Sequence, residues 1–156
     1  MLNRKNLHDY GLVLILLSVL NLFTFVGTIV AGFVDGSIPE ALAGVEPDIL
    51  IAVKVMLGIF GAIMGLFIFA DAFIGFKALR VSENPTADKW YINLGKVFCV
   101  LSFIATGFAI RSFFDSNASI VDSILIFVNA GLDTVIYFLF VKAANAVRND
   151  VLNATR

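Results

Sequence analysis

The sequence predicts an all-α polytopic membrane protein, a four-transmembrane-helix bundle with N- and C-termini cytoplasmic. Three observations carry the prediction. Of 156 residues, 60% are hydrophobic and only 15% charged, more apolar material than a soluble domain of this size can bury. The apolar residues gather into stretches 11–34, 49–76, 90–114 and 120–141, each reaching the ~20 residues a helix needs to cross the hydrocarbon. The basic residues fall almost wholly on one side of that topology: Arg4, Lys5, Lys77, Arg80, Lys89, Lys96, Lys142, Arg148 and Arg156 against Lys54 and Arg111. By the positive-inside rule, the termini and the 77–89 loop are cytoplasmic and the multi-pass chain sits in the plasma membrane. What lies outside the spans is too short for a second domain, so 1–156 reads as a single membrane domain.

The first span follows Arg4 and Lys5 as the core of a cleaved signal would. It is longer than the ~7–15 apolar residues of such a core, and is read as a retained helix. Residues 1–10 form an interfacial lead-in with a helix start at Asn6 and Asp9. His8 has no second ligand at helical spacing, so it reads as a solvated side chain. Within the span Ser18, Asn21, Thr24, Thr28 and Gly32 occupy a sector of about 120°. Such small polar residues suit close helix packing and interhelical hydrogen bonds in lipid.

The outer loop, 35–48, is acidic, with Asp35, Glu40, Glu46 and Asp48. Ser37 and Glu40 have capping-box spacing and Gly44 follows as a stop, which predicts one short helix before Pro47 and Asp48 open the second span. In that span Gly58, Gly61 and Gly65 share one face with Lys54 and Ala72, and Gly61 to Gly65 is a GxxxG spacing. Glycines so placed admit another backbone, within the subunit or across an oligomer interface. Asp71 lies on a different face, about 7 Å from the cytoplasmic end.

In the inner loop, 77–89, Asn84 is the predicted cap and Pro85 the first helical position of a helix that enters the membrane at Trp90. Tyr10, Trp90 and Tyr91 are expected at the headgroup layer. Lys96 lies about 9 Å inside, at the depth of Asp71, which makes the two an expected ion pair or gate. Gly95, Cys99, Ser102 and Thr106 line one small-residue sector of the third span. The sole cysteine, Cys99, has no partner for an internal disulfide and reads as a small packing residue. Lys54, Arg111 and Asp122 have similar depth on the outer side.

The fourth span carries Asn129 and Asp133 near its middle. Its apolar residues favour insertion by roughly 4 to 8 kcal/mol against about 3 for one central aspartate, so the segment still inserts. Asp122, Ile126, Asn129, Asp133, Tyr137 and Phe140 fall within about 80° of one another on a straight helix, a stripe that must face protein or water. Asp133 is either a structural carboxyl bonded to a neighbouring helix or a proton or cation site. In the second case Asn129 and Tyr137 complete the intramembrane site, with Ser18 and Asn21 of the first span on the route. Ser119 and Asp122 have cap spacing at the start of this helix, and the tail 142–156 continues as a polar helix for the cytoplasmic surface or a partner.

Phosphate-binding, dinucleotide, zinc-protease and serine-hydrolase motifs are absent from the sequence, and one histidine and one cysteine leave little metal or thiol chemistry. An aspartate pair would require Asp71 and Asp133 together, although their depths differ by roughly 5 Å. The expectation is a non-catalytic protein without cofactor or metal, and a net charge of −1 gives no footing for nucleic acid. Its partners are the lipid bilayer and itself or another integral membrane protein, in which it serves as a subunit or accessory scaffold of a membrane assembly. The alternative is a small proton- or cation-coupled transporter or channel, oligomeric because four short helices enclose little volume.

Overall fold

The structure, a computed structural model, describes residues 2–34, 44, 46–112, 114 and 120–154. The capping box of Ser37 and Glu40 and the cap of Ser119 and Asp122 lie outside what it describes. Four α-helices follow in order: α1 (Leu2–Val34), α2 (Pro47–Glu83), α3 (Trp90–Ser112) and α4 (Ile120–Ala154). All four are long and apolar enough to cross a membrane. Large apolar side chains cover their outer faces, with Phe69 79% and Phe103 70% exposed.

Three helices outrun the hydropathy-defined spans. α1 already begins at Leu2 rather than near residues 6–9, α2 continues to Glu83, and α4 continues to Ala154. Hydropathy marks contact with hydrocarbon, whereas these extensions are held by a packed stripe: Leu7, Val81, Ala144 and Val147 are all essentially inaccessible. The tail is thus part of the core and not only a polar surface helix.

The start of α3 is a correction. Asn84 and Pro85 do not open it; the Asn84 amide donates to the Arg80 carbonyl at 2.9 Å and closes α2 instead. A residue before proline is pushed out of the α region, so Asn84 ends a helix more readily than it begins one. The helix begins at Trp90, whose amide meets Asp88 Oδ1 at 3.4 Å, with Lys89 accepting from the Asn93 amide at 2.9 Å.

The chain divides into two compact units, Met1–Leu14 with Ile74–Arg156, and Ile15–Phe73. In the first unit the start of α1 and the end of α2 join the whole of α3 and α4. Asn3 Nδ2 donates to Asp150 Oδ2 at 3.1 Å, so the start of α1 meets the end of α4. Gly11 sits against α2 so closely that a Cβ there would lie 3.0 Å from both Ala78 Cβ and the Gly75 carbonyl oxygen. Gly95 does the same for α3 and α4, where the Phe140 ring and, at 3.5 Å, the Val141 methyl occupy the space a side chain would take. Above that notch Tyr91 meets Phe140 edge to face, with centroids 6.1 Å apart, and below it Phe98 stacks on Tyr137 at 5.5 Å. Tyr91 is therefore not a headgroup-layer aromatic: it is fully buried, while its neighbour Trp90, 100° around the helix, is 43% exposed. The Tyr91 hydroxyl has no hydrogen-bond partner among the described residues.

The second unit comprises α1 from Ile15 and α2 up to Phe73. Phe25 reaches Gly61, its ring tip 3.7 Å from where a Cβ would stand. The hydroxyls of Ser18 and Thr28 turn back to their own helix, onto the carbonyls of Ile15 and Thr24 at 2.8 Å each.

Candidate intramembrane polar site

The polar centre of the first unit is built where α3 and α4 run side by side. Ser123, Ala130, Tyr137 and Ala144 recur every seven residues along the inner side of α4 and are buried or half-buried, the repeat of helices that keep one seam in contact. Thr134 belongs to this seam. Its hydroxyl lies 3.1 Å from that of Thr106 on α3, and each is also within reach of its own preceding turn, Thr134 to the Ala130 carbonyl at 3.0 Å and Thr106 to that of Ser102 at 2.9 Å. Two hydroxyl protons serve three contacts, so a proton shared between the helices leaves one of the two backbone carbonyls without its hydroxyl donor. Sequence reasoning placed Thr106 on a contact sector and passed over Thr134; its place one turn after Ala130, on the same side of the helix, was the signal that would have found it.

Asp133 is the next residue round and is half-buried, while Asn129, one turn earlier, is exposed. Among the described residues neither has a hydrogen-bond or ion-pair partner. Tyr137 departs from them into the packed seam, 5% exposed and stacked on Phe98. The expected stripe is thus split: its Tyr137 and Phe140 end is core, its Ile126 and Asn129 part is outside. Ser18 and Asn21 belong to the second unit, Ser18 buried and Asn21 half-buried. Asp71 is half-buried in α2 within the second unit, and Lys96 is exposed on α3 within the first.

The α2 glycines differ from Gly11 and Gly95 in kind. Gly58 and Gly65 face open space, and Gly61 meets only the tip of Phe25. The described residues contain no group of three His, Cys, Asp or Glu side chains able to hold a metal ion. On the expected outer cluster, Lys54 and Arg111 are exposed, and the Asp122 side chain lies outside the described set. His8 is half-buried and meets Asp9, 3.4 Å away.

At the polar end of the first unit, the 84–89 loop is fastened from two sides. Lys77 Nζ lies 3.4 Å from Asp88 Oδ2, and Arg148 Nε donates to the Ala87 carbonyl at 3.1 Å. Two depressions follow one another along α4. An apolar cleft of about 430 Å³ lies between α3 and α4 at the level of Cys99 and Thr134. A smaller groove of about 150 Å³ lies between α1 and α4, where Asn6, Tyr10 and Lys142 face it.

No family model, no curated protein and no solved structure matches this chain.

Proposed function

We propose that the protein is a non-catalytic subunit or accessory scaffold of a plasma-membrane assembly, with both termini cytoplasmic, joined to copies of itself or to another integral membrane protein through helix contacts. The observation that supports this is the unequal use of glycine. Gly11 and Gly95 are consumed by packing inside the chain, whereas Gly58, Gly61 and Gly65 of α2 keep a small-residue face with room for another helix. Asp133, without a partner among the described residues, adds a second point where an outside helix would supply a hydrogen bond. The one-sided distribution of Lys and Arg supports the orientation.

The test is association measured in mild detergent and in bilayers by cross-linking and light scattering. Gly61→Leu is expected to shift the assembled species to smaller mass with helical content unchanged; unaltered association would remove the contact face. The transporter reading is separated by Asp133→Asn in proteoliposomes: loss of a pH-driven flux with the assembly intact would replace the scaffold reading.

A further inference from the structure

We propose that the α4 side of the first unit holds one anionic phospholipid of the inner leaflet, its acyl chain in the cleft beside Cys99 and its headgroup at Lys142. The proposal rests on the chain's residence in a membrane with that end cytoplasmic, and is independent of any assembly through α2.

The two depressions are consecutive. Leu139 borders both, so the apolar cleft at Cys99, Phe103 and Val135 adjoins the groove that Asn6, Tyr10 and Lys142 line. From Lys142 to Thr134 the helix rises about 12 Å, within the ~15 Å of a single leaflet's hydrocarbon. The cleft has no exposed polar lining, which suits an acyl chain and not a hydrated ion. The groove has the opposite chemistry. Lys142 is exposed and has no carboxylate within ion-pair distance among the described residues, unlike Lys77, which Asp88 neutralises. The Asn6 amide and Tyr10 hydroxyl line the same groove, while of the acids at this end Asp150 accepts from Asn3 and Asp9 meets His8. An apolar channel that ends at an unpaired cation and neutral donors matches a tail that ends at a phosphate.

The sole cysteine lines the cleft, so occupancy is readable by chemistry at one atom. The full chain, delipidated in detergent, is titrated with phosphatidylglycerol or phosphatidylcholine of identical acyl chains. Bound lipid is counted by native mass spectrometry, and Cys99 alkylation by a small maleimide is timed. We expect a one-lipid adduct favouring phosphatidylglycerol about fivefold, the worth of one lysine beside an anionic group, and slower Cys99 alkylation when that lipid is present. Lys142→Gln, a surface change, is expected to bring phosphatidylglycerol down to the phosphatidylcholine level. Val135→Trp, which fills the cleft, is expected to weaken both lipids; circular dichroism checks that the variant is folded. Equal retention of the two lipids by the native chain, or Cys99 alkylation indifferent to lipid, would overturn the proposal. So would protection of Cys99 that follows protein concentration instead of lipid, which gives the cleft to a second copy. Gly61→Leu is run alongside: an altered mass with lipid binding intact separates failure of the α2 interface from failure of this site.

Discussion

The hydroxyls of Thr106 and Thr134 meet at 3.1 Å across α3 and α4. It joins the apolar middle of two helices that otherwise touch through Gly95, Phe98, Tyr137 and Phe140. Association in lipid gains nothing from expelling water, so one such bond fixes the rotation of α4 against α3.

Thr106→Val and Thr134→Val are each expected to lower stability to denaturing detergent by about 0.5 to 1.5 kcal/mol. The double variant is expected to cost less than the sum, with a coupling of about 0.6 kcal/mol. Additive losses would mean that the two hydroxyls do not exchange a proton.

Glycine replacements are expected to sort by place. Gly95→Ala forces the fully buried Phe140 ring aside and is expected to cost about 1 to 3 kcal/mol. Gly58→Ala enters open space and is expected to leave the isolated chain as stable or slightly more so, since alanine is the better helix former by about 1 kcal/mol. Thermal unfolding followed by circular dichroism in detergent makes the comparison; equal effects at the two sites would contradict the packing at Gly95.

The loop between α2 and α3 offers a third measurement. Asp88→Ala removes both the contact to the Trp90 amide and the pairing with Lys77. The expected loss is about 1 kcal/mol, most of it from the cap, because a part-exposed ion pair contributes little. Lys77→Ala should therefore cost clearly less than Asp88→Ala, and raising the salt concentration should narrow the difference only slightly. A loss as large for Lys77→Ala would assign the stabilisation to the ion pair.

The pairing of Asp71 with Lys96 expected from the sequence is tested by exchange. If they pair, Asp71→Lys and Lys96→Asp should each reduce the yield of folded protein from membranes, and the double exchange should restore it. A double variant no better than the worse single one would assign each charge its own partner.

Helix number and class were legible because bilayer-length apolar runs leave few alternatives. Rotation was less so. A stripe drawn at 100° per residue puts Asp133 and Tyr137 together, but Asp133 and Thr134 flank Tyr137 on opposite sides around the helix, and Thr134 is the one that meets α3. Asp133 is left at the edge of that contact and Asn129 outside. Tyr91 was misplaced for a related reason: two adjacent aromatics on a helix point in different directions, and amphipathic preference alone does not say which one turns inward. Nor did composition reveal that the polar tail is core, since Ala143, Ala144 and Val147 look modest by hydropathy yet close the bundle's end.

The contact of Asn3 with Asp150 brings the start of α1 to the end of α4. A short flexible peptide joining the start of α1 to the end of α4 would leave their contact in place, and the backbone could be reopened between α2 and α3 to give a permuted chain that starts with what is now the third helix. Such a chain would reach the same packing by a different order of insertion.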